Sequence, residues 1–260
     1  QIITGLLSFN FTGLVIGRLI GLVSGNINYV RKYFQKYNWI QKNKTLEKEL
    51  IQKHNKFIWF SSPGVFVGNS INLITLIFFT HYYGEKFSGL LAAAIQYLGL
   101  LIMMFSSSFA QVYYNEIAQI KNPKALYKSY TYWLKRLFVL TLIGWIILVI
   151  TPSSLLTSIL GAKWSGLMDA IKVISPWMAI MFIASSLSYV FIRLEKQKEI
   201  FFFDVFHLVL IIITLGLGHF FLNEKNQILY LVTIVQSVFY ILSISLAFKF
   251  LIANIKNNNA

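Results

Sequence analysis

Residues 57–99 read FIWFSSPGVFVGNSINLITLIFFTHYYGEKFSGLLAAAIQYLG. The run Phe57–Thr80 is apolar over more than the roughly 20 residues a helix needs to cross about 30 Å of hydrocarbon. HYYGEKFSG interrupts it, and LLAAAIQYLG resumes the apolar pattern. This predicts two membrane-spanning helices joined by a short turn. Ser61, Gly64, Gly68, Asn72 and Thr75 recur at steps of three and four, as do Ala92, Gln96, Gly99 and Met103. Such steps place each set on one helix face. A lone anchor has no use for that face; a helix lining a cavity or packing closely on neighbours does.

The rest of the chain has the same character. It is 57% hydrophobic and only 12% charged, against about 25% charged in soluble domains. Spanning-length apolar runs recur, and the alternation of barrel strands is absent. The fold class is therefore an all-α polytopic membrane protein of about seven transmembrane helices. The net charge of +14 does not point to nucleic acid, because the basic residues concentrate between apolar segments, where they set orientation. With no cysteine, disulfides and thiolate metal sites are excluded.

The expected segments run 1–30, 57–80, 88–116, 133–150, 166–192, 199–222 and 228–252. Gly13, Gly17, Gly21 and Gly25 form a ridge on the first, which Arg18 interrupts. Residues 31–56 are a Lys-rich linker, with Trp39, Ile40, Leu46, Leu50 and Ile51 as surface anchors of an amphipathic helix. Pro63-Gly64 is expected to kink the second segment. Residues 118–135 read as a basic loop, Asn122-Pro123 closing the preceding helix. Residues 152–165 read as a loop turning at Gly161–Trp164, and Arg193–Lys198 as a tight basic turn. Loops 31–56, 118–136 and 193–198 and the end from Lys249 hold 18 Lys/Arg; the opposite turns hold only Lys86, Lys163 and Lys225. That asymmetry predicts cytoplasmic basic loops and a cytoplasmic carboxyl terminus, with the turns at Gly84, Gly161 and Asn223 outside. The chain lacks an initiator Met and begins inside an apolar run, so a carboxy-terminal part of a longer chain is expected.

Ionisable groups at membrane depth cost about 2.5–3.5 kcal/mol each and need a reason. Arg18 is the deepest: it either faces a cavity or bonds neighbouring carbonyls. Asp204 and His207, one turn apart, suit a proton- or cation-coupling site; the plainer alternative pairs Asp204 with Lys196 or Lys198. Glu116 is expected to pair with a nearby Lys, and Asp169 with Lys172 at i, i+3. His219 reads as interfacial. Asn69, Asn72, Gln96 and Gln111 are placed either to bind a polar ligand or to bond between helices. No metal motif, phosphate loop, nucleophile elbow or paired-carboxylate arrangement appears, so the chain reads as no enzyme, with no cofactor and no metal.

Three stretches carry a family resemblance: FSSPGVFVGNSINLITLIFFTHYYGEKFSG, the loop LLTSILGAKWSG, and SSLSYVFIRLEKQKEIFFFDV. In feature order the chain resembles, from about Arg31 to Phe250, the Wzx-type polysaccharide (O-antigen or capsule) flippases of the superfamily that includes the MATE exporters. The resemblance implies two pseudo-symmetric lobes around a cavity that work by alternating access. Residues 1–30 would be the last helix of the amino-terminal lobe, 31–56 a cytoplasmic linker, 57–253 a six-helix carboxy-terminal lobe and 254–260 a polar tail. The implied activity is transport of an undecaprenyl-diphosphate-linked oligosaccharide across the bacterial cytoplasmic membrane in lipopolysaccharide or capsule assembly. Arg18 would hold the diphosphate, Asn69, Asn72, Gln96 and Gln111 the sugar hydroxyls, and Asp204 with His207 the coupling ion. Expected partners are the lipid-linked oligosaccharide, membrane lipids and other polysaccharide-assembly proteins, with no nucleic acid. The rivals are a cation-coupled small-molecule exporter, a membrane enzyme of the same pathway and a non-transporting scaffold.

Overall fold

The computed structural model describes residues 57–222 and 224–258, with residues 20, 21, 23, 24, 26, 27, 30–32, 49 and 55 of the preceding part. Two compact units divide the chain, Gln1–His54 and Asn55–Ala260. In the first, the described residues are helical and exposed. Of the glycine ridge only Gly21 is described, and nothing lies within 4 Å of a Cβ added there. Arg18, the apolar anchors of the linker and most of the expected first segment lie outside the described residues.

The second unit is helical throughout. Its helices are α1 (Ser62–Tyr83), α2 (Glu85–Gln119), α3 (Pro123–Ile150), α4 (Ser154–Leu160), α5 (Leu167–Leu187), α6 (Tyr189–Arg193), α7 (Gln197–Phe221) and α8 (Lys225–Asn257). Six helical stretches among the described residues are long and apolar enough to cross a membrane, so the protein is an all-α, multi-pass membrane protein. Exposed Phe66, Ile147, Phe202, Phe206 and Ile213 show the apolar outer surface that lipid requires.

Local chemistry explains several boundaries. A π-helical turn, Phe57–Ser61, runs straight into α1. Pro63 has no N–H to give to the preceding turn, and a widened turn accommodates that loss. Gly84 (φ 82°), Gly161 (φ 92°) and Gly166 (φ 90°) supply the left-handed backbone at three tight turns. The expected basic loop at 118–135 shrinks to residues 120–122. Asn122 caps α3, its side-chain oxygen accepting from the Lys124 amide at 2.9 Å, and Pro123 takes the first helical position. Lys124, Lys128, Lys135 and Arg136 thus ride on α3 itself. Asn-Pro was legible as a break; that it also starts a helix was the part missed. The expected loop at 152–165 likewise contains α4 and a 3₁₀ turn, Ala162–Trp164.

Helix α5 is the axis of the unit. Half of its most apolar window is buried, against 6% for the peripheral α3, and it packs on α2, α3 and α8. One apolar cluster joins Phe79, Leu91, Leu167, Trp177, Leu215 and Ile228 towards the Gly84 end. A second joins Tyr113, Leu126, Leu137, Leu187, Phe191 and Leu251 towards the 120–122 end. Between apolar helices in lipid no hydrophobic drive remains, so packing and polar ties must hold them. Gly218 lets α8 approach α7: a Cβ there would meet Ile228 Cγ2 at 3.2 Å. Ser106 and Ser185 join α2 to α5 at 2.8 Å. Pro176 leaves the Lys172 carbonyl without its helical donor. The Ser175 hydroxyl donates to that carbonyl at 2.8 Å, and Trp145 Nε1 of α3 donates to Ser175 at 3.0 Å.

Three expected ion pairs give way to other partners. Glu116 accepts from Ser129 Oγ at 2.6 Å and Trp133 Nε1 at 2.7 Å, which ties α2 to α3 without a lysine. Asp169 accepts from Ser153 at 2.7 Å, and no ion pair links it to Lys172 among the described residues. Lys196 pairs with Glu199 at 2.7 Å instead of Asp204. Short helix-terminal reach and available hydroxyl or indole donors decide these choices over bare charge.

Arg193, in the basic turn, ends α2: its Nε donates to the Ile117 carbonyl at 3.2 Å and Nη2 to the Ile120 carbonyl at 2.8 Å. Helix ends leave such carbonyls unpaired, and a cation there also meets the negative end of the helix dipole. Arg193→Ala is expected to cost about 1–3 kcal/mol by leaving the Ile120 carbonyl without a donor, the Ile117 carbonyl keeping the Ile120 amide at 3.3 Å, with Arg193→Lys recovering part of the loss. Thermal unfolding in detergent micelles measures this; an unchanged midpoint for the alanine variant would contradict the capping role.

Candidate functional site

Two polar features stand out in the second unit. The first is a seam between α1, α7 and α8. Phe203 and His207, four residues apart on α7, clamp Phe239 of α8: ring centroids lie 4.0 Å and 3.7 Å from it, with the imidazole nearly parallel at 11°. Tyr240 meets the imidazole edge-on at 5.9 Å. His207 is only 2% exposed, with Gln236 beside it. The Gln236 amide is placed to hydrogen-bond the imidazole, but His207 Nε2, Gln236 Oε1 and Thr233 Oγ1 make no hydrogen bond of ordinary geometry among the described residues. Buried polar groups are nearly always paired, so three such atoms in one seam need an explanation.

Asp204 sits one turn before His207 and faces the other way, towards α1. A Cβ added at Gly64 would lie 3.8 Å from Asp204 Oδ2 and 3.8 Å from the Phe201 ring. Among the described residues no hydrogen bond or ion pair satisfies the Asp204 carboxylate. The structure thus sets Asp204 against α1 and His207 against Phe239 of α8, with no hydrogen bond between the two expected partners, and Asp204 does not pair with Lys196 either.

The same geometry redefines the small-residue stripe of α1. Gly64 is where α7 comes close, and Thr75 is buried, its hydroxyl donating to the Ile71 carbonyl at 2.8 Å. The stripe is a packing face at both ends, and only at Gly68 does an added Cβ meet open space. Helical spacing alone cannot tell a packing stripe from a cavity wall, because both call for small side chains.

The second feature lies on α2. Gln96, Leu100, Met103, Ser107, Gln111 and Tyr114 follow one another at steps of three and four, and every one is exposed. Of the expected ligand amides, Gln96 and Gln111 lie on this face. Asn69 is exposed on α1, and Asn72, a member of the α1 stripe, is half-buried. None of the four amides has a hydrogen-bond partner among the described residues. Arg18 lies outside the described residues.

Thr233, Gln236 and Tyr240 were absent from the sequence expectations. Their spacing of three and four on an otherwise apolar segment was the available signal, masked by the Leu, Val and Ile between them. Among the described residues no three His, Cys, Asp or Glu side chains are grouped to hold a metal ion. No protein-family model, curated protein or solved structure matches this chain.

The stacking predicts how His207 responds to substitution. His207→Phe is expected to keep stability within about 1 kcal/mol, since a flat ring still fills the slot against Phe239. His207→Ala should lose about 2–4 kcal/mol through the cavity it leaves. Unfolding midpoints of the two variants decide it, and equal losses would show that the ring stack is not what holds α7 to α8.

Proposed function

We propose that this protein is a flippase that carries an undecaprenyl-diphosphate-linked oligosaccharide from the inner to the outer leaflet of a bacterial cytoplasmic membrane. In this reading the basic turns and the carboxyl terminus are cytoplasmic, and no covalent chemistry takes place. The observation that carries it is the pair of exposed, unpartnered amides on one face of α2, Gln96 and Gln111. Unsatisfied polar groups cost several kcal/mol each in hydrocarbon, so such a face belongs against a hydrated cavity or a polar ligand. Gln96 and Gln111 stand 15 residues apart, about 22 Å along the helix. One small solute cannot touch both; a chain of sugars can. Amides also suit such a ligand, since each both donates to and accepts from hydroxyls.

Arg18, Asn69 and Asn72 complete the proposed binding set, Arg18 for the diphosphate. The feature order that resembles the Wzx-type flippases agrees with this reading. The expected test uses the whole protein in vesicles with a fluorescent polyprenyl-diphosphate oligosaccharide. Gln96→Ala combined with Gln111→Ala should slow translocation about tenfold, as the loss of two ordinary hydrogen bonds predicts. An unchanged rate in a normally folded double variant would reject the α2 face as the sugar path.

The unpaired Asp204 carboxylate favours a second reading, a cation-coupled exporter, with Asp204 and His207 as the coupling pair. Asp204→Asn should then abolish dependence on a proton or sodium gradient. If lipid-linked sugar moves at the wild-type rate without any gradient, Asp204 has no coupling role.

A further inference from the structure

A groove of about 330 Å³ opens between α2 and α3, with α5 as its floor. That volume is in the usual range for ligand sites, about 300–1,000 Å³. Its walls include Leu101 and Phe105 of α2, Leu140, Gly144 and Trp145 of α3, and Phe182 of α5. Its two hydroxyls are already committed. Thr141 donates to the Leu137 carbonyl at 2.6 Å; Ser175 is taken up by Lys172 and Trp145. Nothing is left in the groove to recognise a polar ligand. It sits at the middle of spanning helices, so hydrocarbon is what reaches it.

The end of the groove towards the 120–122 turn carries charge. Arg136 lies one helical turn, about 6 Å, before Leu140, the first residue of α3 to line the groove. Its guanidinium lies over the Tyr132 ring at 4.1 Å, directed away from the apolar run. No carboxylate pairs with it among the described residues, and the nearby Glu116 is held by Ser129 and Trp133. Lys135 is its exposed neighbour. A guanidinium with free donors at headgroup depth complements a phosphate, and an apolar groove one turn further in complements an acyl chain.

We infer that this groove is a binding site for an anionic phospholipid of the leaflet on the 120–122 side, with one acyl chain against Gly144 and Trp145 and the phosphate at Arg136. The inference is independent of what the protein transports. Gly144 is central to it: a Cβ there meets nothing within 4 Å, so the glycine keeps the groove open and does not serve helix packing.

Trp145 supplies the readout. The whole protein is reconstituted in phosphatidylcholine vesicles containing a minor fraction of phosphatidylglycerol or phosphatidylcholine with brominated acyl chains. The quenching due to Trp145 is isolated by difference from Trp145→Phe. Brominated phosphatidylglycerol should quench it at about fivefold lower mole fraction than brominated phosphatidylcholine, the preference expected from one arginine at a lipid headgroup. Arg136→Gln should abolish the preference while leaving quenching by phosphatidylcholine. Gly144→Leu, and more fully Gly144→Phe, should protect Trp145 from both lipids, with unfolding midpoints checking that each variant is folded. Equal quenching by the two lipids in the wild type would overturn the inference. So would quenching undiminished in folded Gly144 variants, or a Trp145 shielded from all lipid because another helix or a second copy fills the groove.

Discussion

The unit depends on how α5 tolerates a proline in its middle. Pro176 frees the Lys172 carbonyl at a depth where no water is at hand to pair it. Ser175 supplies the missing donor from the same helix, and Trp145 reaches over from α3 to hold Ser175 in place. A local backbone defect is thereby converted into an attachment between two helices. It matters because α5 is the element that α2, α3 and α8 all share. The peripheral α3, with so little of its own surface buried, is held by this indole, by the Glu116 contacts and by the Tyr130 ring against Phe248.

The same economy recurs at the ends of the helices. Arg193 closes α2, Asn122 opens α3, and the two are separated by only a three-residue turn. Charges that look like a solvated loop in sequence are used as caps, or ride on the first turns of a helix. Their positions still bias one end of the bundle towards positive charge, so capping and orientation are served by the same residues.

Composition and the length of the apolar runs were enough to read an all-helical membrane protein, because lipid forces one solution on the backbone. The glycine turns at Gly84 and Gly161 were legible for the same kind of reason: left-handed backbone needs glycine. Partners were harder. Glu116 was expected to find a lysine and found Ser129 and Trp133, because side-chain choice depends on neighbours from another helix that no local pattern encodes. The α1 stripe suited either a cavity wall or a packing face, and Gly64 faces Phe201 and Asp204. Spacing identifies a face but not what lies opposite. The α7–α8 seam was half legible, through Asp204 and His207; Gln236 and Thr233 were hidden within a hydrophobic segment.

The uneven burial of α1 has a mechanical consequence. Its buried residues are Ile71, Thr75 and Phe79, from the middle of the helix onward, whereas the end before them rests on α7 at Gly64, with Phe60 of the preceding turn against Phe201. The helix spans 22 residues, about 33 Å, so it behaves as a lever clamped at one end. A tilt of roughly 10° about Phe79 would carry Ser62 through about 4 Å while hardly disturbing the clamp. Gly64, where α1 faces the carboxylate of Asp204, lies near the far end of that arm. Whatever neutralises or binds that carboxylate acts at the long arm of the lever, where a small change in local force yields the largest displacement.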